Sequence, residues 1–419
     1  MKSHLILGAG PAGVIAAETL RKQAPHDAVM IVGDEPDPPY SRMAIPYLLM
    51  GRVGEDGTYL RRDRAHFDAL GIEIRRGRAE AVNAAYHTVT LENGAAMPFD
   101  TLLIATGSSP IRPPIDGIGS PGVHSCWTLQ DARAIAALAT KGARVLQMGA
   151  GFIGCIIMES LAARGVELTV VEMGDRMVPR MMGPTAGGMI KDWCESKGVR
   201  VFTGTRVEAI EAGEPLQVAL SNGQRLEADL VISATGVRPN IGFLEGSGIA
   251  CLQGVLTDEH LQTNAAGIYA AGDCAEAFDK VSGRTIVSAI QPNAADQAYV
   301  AAMNMAGRGA ELRGVTQINV LDTLGLVSTS FGDWQGVPGG DHVELTDRGA
   351  GRHLSLQFSG DVLVGCNSVG WTDHVGVMRG LVEGRLRLGD WKQRLMSDPT
   401  RLMEAYLARA QAQERRLAA

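Results

Sequence analysis

The feature that most constrains this chain is a glycine pattern that occurs twice, each time between an apolar run and a helix-like stretch. The first copy, GAGPAG, spans Gly8 to Gly13, and the second, GAGFIG, spans Gly149 to Gly154. Each copy is followed by another apolar run that ends at acidic residues, which completes a strand–helix–strand unit of the expected length. Two such units predict two domains that each bind a dinucleotide.

Each glycine of such a turn has its own physical role. Gly8 permits the tight turn, Gly10 lets the backbone approach a diphosphate, and Gly13 lets the helix pack closely on the strand. The helix start at Pro11 and Ala12 directs free N–H groups and the positive end of the helix dipole at the phosphates. The second copy repeats the arrangement with Gly149, Gly151, Phe152, Ile153 and Gly154.

A carboxylate at the end of the second strand accepts hydrogen bonds from the ribose hydroxyls of a bound dinucleotide. After the first turn, Asp34 and Glu35 are both candidates, and Glu172 has the matching place after the second turn. Because a carboxylate repels a 2′-phosphate, Glu172 favours NADH over NADPH. Arg176, four residues on, is long enough to reach such a phosphate, but its position is more typical of a solvated or ion-paired loop arginine.

The order of apolar runs and turns predicts the domain organisation. A buried strand runs into Ala-Thr-Gly once at Gly107 and again at Gly236, so each dinucleotide unit carries a second shared signature. Proline- and glycine-rich crossings follow both signatures. We predict an α/β protein with two Rossmann-like domains, the first discontinuous, and a small α+β domain with a helical tail. Their predicted bounds are 1–114 with 239–314, 115–238, and 315–419.

Composition excludes several function classes. The net charge of −7 leaves no basic surplus for a nucleic-acid partner. No apolar run reaches the roughly 18 to 20 residues that span a bilayer, and the first strand leaves no room for a signal peptide, so we expect a cytoplasmic protein. Six cysteines occur without any CxxC or CxxxxC pair, which argues against a zinc cage and a redox dithiol, and we expect no metal site.

Taken together, the motifs resemble the FAD-dependent pyridine nucleotide oxidoreductases. The resemblance covers about the first 300 residues and is strongest to NADH-dependent rubredoxin and ferredoxin reductases and to the flavin domain of nitrite reductases. It implies that NADH gives a hydride to FAD, and that FAD passes electrons to an iron–sulfur protein, a rubredoxin or a partner subunit. A homodimer is compatible with it. The alternatives are an NADH oxidase or small-acceptor reductase, and a flavin-binding interaction protein. The motifs in chain order are GAGPAG, Glu35, PPYSR, LLIATG, GAGFIG, VVEMGDRMVPR, ATGVRPN and IYAAGDCA.

The resemblance also implies roles for individual residues. Glu35 matches the family's adenosine-ribose carboxylate, which favours it over Asp34. Arg42 matches an arginine near the flavin, and Val82 matches a backbone position that meets the adenine. Asp273 matches the aspartate that binds the ribityl and phosphate region. Further matching positions are Ala105, Thr106 and Gly107 beside FAD, Pro292 at a helix start that faces the flavin pyrimidine, and Gly236 beside NAD.

The chain departs from the family at the places where thiol or acid–base chemistry would occur. Met43 stands where single-cysteine oxidases carry a redox cysteine, and the helix after the first turn contains no cysteine. Tyr47 and Ile156 stand where many ferredoxin reductases carry a lysine and a glutamate. A helix start lowers the pKa of a thiol in its first turn, but we expect Cys155 to face the NAD side or the helix packing. Electrons must then leave the flavin without passing through a thiol.

Overall fold

A computed structural model describes residues 1–63, 65–315 and 318–417. Within these ranges the chain forms two compact units. The first unit comprises Met1–Pro110 and Val237–Thr316, and the second comprises Ile111–Gly236 and Gln317–Ala419. The first unit is discontinuous, as predicted. The C-terminal segment belongs to the second compact unit. The boundaries predicted for three separate domains remain a prediction.

The first unit is built on a five-stranded parallel sheet. Its central strand, Ser3–Leu7, pairs with Ala28–Gly33 on one side and with Thr101–Ile104 on the other. Ile72–Arg76 and Ile268–Ala270 complete the two edges. The central strand is buried on both faces because the helices Pro11–Gln23 and Gln291–Met305 cover one face of the sheet and a three-stranded antiparallel sheet covers the other. Because these strands are parallel, the glycine turn, the acidic residues and the Ala-Thr-Gly signature all lie at the carboxyl ends of the strands, on the same side of the sheet.

Two helices of the first unit, Pro11–Gln23 and Gln291–Met305, pack against each other. Their contact is rich in small side chains, including the fully buried Ala17 and Ala298, which allows the two backbones to approach closely. The other helical segments of this unit are Arg42–Ala44, Ile45–Leu49, Glu55–Thr58, His66–Ala69 and Gly242–Leu244. Its other strands are Ala79–Asn83, Thr88–Leu91, Ala96–Pro98, Ser108–Pro110, Val237–Pro239, Val255–Leu256, Ala275–Phe278 and Thr285–Val287.

The second unit repeats this plan around the second glycine pattern. Its parallel sheet has Arg144–Met148 at the centre, paired with Glu167–Val171 and Leu230–Ser233. Arg200–Phe202 and Val123–Ser125 form the edges. A three-stranded antiparallel sheet belongs to the same unit and consists of Val207–Glu211, Leu216–Leu220 and Arg225–Ala228.

Three helices accompany the parallel sheet of the second unit. Leu129–Leu138 begins with a capping box, in which the Thr128 side chain accepts the Asp131 N–H and the Asp131 carboxylate accepts the Thr128 N–H. The other two helices are Phe152–Ala163 and Pro184–Ser196. Both begin after an extended glycine, at Gly151 and Gly183.

The C-terminal part of the second unit is a five-stranded antiparallel sheet. Its central strands are buried along most of their length despite several serines and threonines. The strands are, in spatial order, Ile318–Thr323, Leu326–Gly332, Val362–Val369, Arg352–Ser359 and Asp341–Asp347. The helices are Val375–Gly384, Trp391–Ser397 and Leu402–Leu417.

The predicted fold class is confirmed. Two Rossmann-like sheets and an α+β C-terminal part with a helical tail are all present. Among the described residues, no helix combines the length and apolar character needed to cross a bilayer. The described residues also contain no cluster of three histidine, cysteine or acidic side chains that could hold a metal ion.

Candidate functional site

The first glycine turn joins the strand Ser3–Leu7 to the helix Pro11–Gln23. Gly8 has a φ of +116°, which a side chain would strain, and its N–H donates to the Val32 carbonyl at 2.7 Å. A Cβ atom on Gly13 would lie 1.9 Å from the Gly8 carbonyl oxygen, so only glycine allows the helix to start this close to the turn. The roles that the sequence assigns to these two glycines fit the geometry.

The helix start leaves room for a ligand at Gly10. A Cβ atom added to this residue would meet no heavy atom within 4 Å, and Pro11 follows at the first helical position. The first N–H groups of a helix have no intrahelical acceptor, and together with the helix dipole they favour an anion. Pro11 lacks an N–H, so Ala12 and Gly13 supply the free donors. The turn thus fits a diphosphate.

Glu35 lies in a network of side chains that comes from the following loop. The Arg42 Nη2 atom donates to Glu35 Oε1 at 2.8 Å, and the Tyr40 hydroxyl donates to Glu35 Oε2. Asp34 is instead paired with the exposed Arg78, with 3.7 Å between Asp34 Oδ2 and Arg78 Nε. Of the two candidates, Glu35 therefore has the more ordered carboxylate.

The Ala-Thr-Gly segment of the first unit lies directly against the glycine turn. A Cβ atom on Gly8 would lie 2.1 Å from the Ala105 carbonyl oxygen. Thr106 exchanges two hydrogen bonds with Asn240, at 2.8 and 3.0 Å, and the Gly107 carbonyl accepts the Asn240 N–H at 2.9 Å. The structure brings these three predicted residues together with the turn, and Asn240 binds two of them, Thr106 and Gly107.

Asp273 is the predicted site residue with the clearest electrostatic signature. Burial raises the pKa of its carboxyl group, although the hydrogen bond from Ser108 Oγ at 2.8 Å and the charge of Arg42 oppose this shift. Arg42 therefore acts on both Glu35 and Asp273. A partly buried carboxylate that follows a strand and lies within the electrostatic influence of an arginine can accept hydrogen bonds from ligand hydroxyl groups.

Sequence reasoning missed Gln297, which lies in the helix that begins at the predicted Pro292. Its Oε1 atom accepts the Gly272 N–H at 2.7 Å, next to Asp273. Its Nε2 atom is enclosed and has no hydrogen-bond partner among the described residues. Such orphaned donors are uncommon and often mark ligand sites. The helix start is tied to the Arg42 loop because Ser41 Oγ donates to Gln291 Oε1 at 2.7 Å.

Val82 is separated from this group by an apolar cluster. Its side chain is buried, and it pairs with Val89 across the strands Ala79–Asn83 and Thr88–Leu91. It shares the cluster with Leu7, the last residue of the strand before the turn, and with Val32 of the neighbouring strand. Val82 thus packs against the parallel sheet close to the turn. Its predicted contact with adenine remains a prediction.

The second glycine turn has the same plan in the second unit. Gly149 has a φ of +96°, and a Cβ atom on it would lie 2.4 Å from the Ala234 carbonyl oxygen. A Cβ atom on Gly154 would lie 2.5 Å from the Gly149 carbonyl oxygen, whereas one on Gly151 would meet nothing within 4 Å. Phe152 and Ile153 form the first helical turn. This turn also fits a diphosphate.

The Ala-Thr-Gly signature of the second unit touches its turn through Ala234, two residues before the predicted Gly236. Gly236 has a φ of +109°, and its carbonyl accepts the Ile111 N–H at 2.9 Å. The contact of Ala234 with Gly149 repeats that of Ala105 with Gly8. The duplicated signature in the sequence was the signal that could have identified Ala234.

Glu172 is bound by backbone groups. Its carboxylate accepts the Ala150 N–H and the Gly174 N–H, each at 2.7 Å. Arg176 is turned to other partners, since its guanidinium donates to the Met182 carbonyl at 2.8 Å and pairs with Asp175 at 2.6 Å. Arg176 therefore has the ion-paired role that its position suggested, and Glu172 is the charged group bound at the turn.

All six cysteines are free thiols. Five of the six are buried, and only Cys251 is partly exposed. Burial raises the pKa of Cys126 and of Cys194 to about 12. Burial likewise raises the pKa of Cys155, so the helix start does not activate this thiol and its packing role is the one observed. Met43 is about half exposed.

Comparison with known proteins places this geometry in a family. A family model described as pyridine nucleotide-disulphide oxidoreductase matches residues 2–303. The NADH-dependent phenylglyoxylate dehydrogenase subunit epsilon of Aromatoleum evansii is 32% identical over 94% of this chain and 95% of its own length. An NADH oxidase of Methanocaldococcus jannaschii is 31% identical over 78% of this chain and 76% of its own length.

Further relatives are rubredoxin– and ferredoxin–NAD(+) reductases, which match 66% and 64% of this chain. Among solved structures, the reductase in a covalent putidaredoxin reductase–putidaredoxin complex superposes with a TM-score of 0.88 at 24% identity. The match covers 98% of this chain and 99% of that one. The fold is therefore shared along almost the whole chain, including the part beyond residue 303.

Proposed function

The chain belongs to the pyridine nucleotide-disulphide oxidoreductase family and is an FAD-dependent oxidoreductase, and we propose that it takes electrons from NADH and delivers them to a protein acceptor. The observation that carries this proposal is the presence of two complete glycine turns, each beside its own carboxylate, Glu35 and Glu172. One chain that binds two dinucleotides has a direct use for them when one carries a bound redox cofactor and the other is its reductant.

We assign the first unit to FAD. The helix start at Pro11 would hold the diphosphate, Glu35 the adenosine ribose, and Asp273 the ribityl and phosphate region. The helix that begins with Gln291 and Pro292 would direct its free N–H groups at the flavin pyrimidine and stabilise negative charge there. FAD supplies the two-electron chemistry when it is bound. The orphaned Nε2 atom of Gln297 beside Gly272 is a donor that a ligand atom could satisfy.

We assign the second unit to NADH. The N–H groups at Phe152 and Ile153 would face its diphosphate, and Glu172 would accept hydrogen bonds from the ribose hydroxyls while it repels a 2′-phosphate. Because Arg176 is held by Asp175 and a backbone carbonyl, it is a weak competitor for that phosphate. NADH is therefore the proposed reductant.

A partner redox subunit, or an iron–sulfur protein or rubredoxin, is the proposed acceptor. Support comes from the Aromatoleum relative, which is a subunit by name and matches this chain over 94% of its length. The rubredoxin and ferredoxin reductases, in contrast, match only about two thirds of it. The C-terminal sheet and helices are therefore the parts in which acceptor specificity would lie. A homodimeric state and a cytoplasmic location remain predictions from the sequence.

The experiment that tests this proposal compares acceptors under one set of conditions. The purified yellow protein is reduced anaerobically with NADH and then mixed with a ferredoxin, a rubredoxin, ferricyanide or oxygenated buffer. We expect rapid reoxidation by ferricyanide and by at least one iron–sulfur protein, and slow reoxidation by oxygen. The Methanocaldococcus relative makes an NADH oxidase the second candidate. Reoxidation that is fastest with oxygen would favour that candidate and contradict a protein acceptor.

A further inference from the structure

A buried glutamine lies directly beneath the second glycine turn. Gln147 is on the strand Arg144–Met148, two residues before Gly149, and its side chain is fully buried. Its Nε2 atom donates to the Gly149 carbonyl oxygen at 2.9 Å. Its Oε1 atom is enclosed and has no partner among the residues that the structure describes. The amide orientation follows from its partner, because a carbonyl oxygen can only accept and must face the NH₂ group.

The first unit shows that packing alone does not require a glutamine here. Ile6 has the equivalent place, two residues before Gly8, and its Cγ2 atom lies 3.3 Å from where a Cβ on Gly13 would be. The Gln147 Nε2 atom lies 3.0 Å from the equivalent position on Gly154. An apolar side chain thus fills this space in one unit, whereas the other uses an amide that leaves a buried carbonyl unpaired, which costs free energy.

The hydrogen bond from Gln147 constrains the whole peptide group between Gly149 and Ala150. The Gly149 carbonyl and the Ala150 N–H belong to one planar peptide group and point in opposite directions. Gln147 binds the carbonyl, and the Ala150 N–H donates to Glu172 Oε2 at 2.7 Å. The same peptide plane is therefore bound on one side by Gln147 and on the other by Glu172.

We propose that Gln147 is a positioning residue for nucleotide selection, which acts through the Gly149–Ala150 peptide on the carboxylate of Glu172. With the peptide plane fixed, the Ala150 N–H holds Glu172 where it meets the ribose hydroxyls of NADH. Without the amide, the peptide can rotate and Glu172 loses one of its two backbone donors. This inference rests on the proposed function, since it assumes that the second unit binds NADH.

The test is a double-mutant cycle on the flavin-loaded protein. Gln147→Met keeps the length of the side chain and removes the donor, and Glu172→Gln removes the charge. Rapid-mixing reduction of the flavin at several NADH and NADPH concentrations gives a Kd and a limiting rate for each variant. We expect Gln147→Met to raise the Kd for NADH about three- to tenfold, the loss typical of one neutral hydrogen bond. The limiting rate should stay within about twofold, and the preference for NADH over NADPH should fall.

The decisive readout is non-additivity. If Gln147 acts through Glu172, the double variant should lose less NADH affinity than the product of the two single losses. Met148→Leu is the matched control, because Met148 is adjacent on the same strand but packs in the apolar cluster of the opposite face. It should leave both cofactor affinities unchanged. Gln147→Leu serves as a second donor-free variant if Gln147→Met is poorly folded.

Two outcomes would overturn the inference. The first is an unchanged Kd for NADH in Gln147→Met or Gln147→Leu, provided that the variant is soluble and unfolds cooperatively. That result would show that Gln147 only packs beneath the turn. Fully additive losses would show that it acts independently of Glu172. Failure of the proposed function looks different, because the flavin of the unsubstituted protein would then not be reduced by NADH at all.

Discussion

The two glycine turns of this molecule have the same plan, but they differ in how closely the helix approaches the turn and in which groups bind the carboxylate. In the first, a Cβ atom on the third glycine, Gly13, would lie 1.9 Å from the first glycine's carbonyl oxygen, whereas the corresponding distance for Gly154 is 2.5 Å. The carboxylate of the first turn, Glu35, is bound by the side chains of Tyr40 and Arg42. Within the described part of the chain, that of the second, Glu172, is bound by backbone N–H groups alone, in the hydrogen bonds described above.

This difference matches two modes of cofactor use. A carboxylate bound by an arginine and a tyrosine of the following loop would, in our account, suit a cofactor that stays bound. A carboxylate bound by two backbone N–H groups belongs to a simpler turn, which suits a substrate that must leave after each turnover. In our account, the first unit therefore retains FAD, and the second exchanges NADH for NAD⁺.

The largest effect should come from Gly13→Ala. The added methyl group would overlap the Gly8 carbonyl oxygen, so either the helix must move from the turn or the unit must unfold. We expect little soluble protein and no retained flavin, measured as the flavin-to-protein absorbance ratio after gel filtration. Gly188→Ala is the matched control, because a Cβ atom there meets nothing within 4 Å. A flavin-loaded Gly13→Ala protein would show that the first turn does not hold FAD.

Gly154→Ala should impair NADH binding in the second unit while FAD stays bound in the first. The methyl group would crowd the Gly149 carbonyl and the Gln147 amide, yet both belong to the second unit. We expect FAD to be retained and the rate of flavin reduction by subsaturating NADH to fall at least about tenfold. Dithionite should still reduce the flavin at the normal rate. Loss of FAD together with NADH reduction would mean that the two units are not separate cofactor sites.

Substitution of Glu172 tests which group selects the nucleotide. Glu172→Ala removes both the repulsive charge and the acceptor for two backbone N–H groups. The preference for NADH over NADPH, taken as the ratio of kcat/KM values, should fall on the order of tenfold, more than the maximal rate does. Glu208→Gln changes an exposed carboxylate of the same unit that does not pair with Arg176, and it should leave the ratio unchanged. If NADH and NADPH are used equally before any substitution, Arg176 rather than Glu172 governs the pocket.

The smallest effect concerns pH and Asp273. Burial raises the pKa of this carboxyl group in the folded protein, so the folded state keeps the proton to higher pH than the unfolded chain. Stability is thus lost as the pH rises from the ordinary carboxyl range through the raised pKa. Asp273→Asn removes this loss and keeps an acceptor for Ser108. Flavin-free Asp273→Asn should melt a few degrees above the unsubstituted protein at neutral pH, with a smaller gap in mild acid. A gap that grows in acid would contradict the assigned sign.

The sequence predicted the parts of the sites that depend on local backbone constraints. Glycine is required at Gly8 and Gly149 by a positive φ, and at Gly13 and Gly154 by a close backbone approach, so spacing alone located both turns. The acidic residues could be predicted because they come directly after the next strand. These features depend on a short stretch of chain, and a short stretch is what a motif describes.

Partners that come from distant segments could not be predicted in this way. Gln147 looks like an ordinary polar residue in a half-buried strand, and only the packing of helix against sheet encloses it. Gln297 lies 25 residues from Gly272, which it binds. The backbone ligands of Glu172 likewise depend on how the loop after it returns to the turn. The pKa of Cys155 followed its complete burial rather than its place in a helix start.

The central claim is that FAD takes one hydride from NADH and that no thiol pair shares the electrons. An anaerobic titration of the flavin-loaded protein with NADH tests this most directly. If flavin is the sole redox centre, bleaching should be complete after about one NADH per FAD, because a hydride carries the two electrons that the flavin accepts. An endpoint near two NADH per FAD would reveal a second two-electron centre, such as a cysteine pair, and would contradict the account.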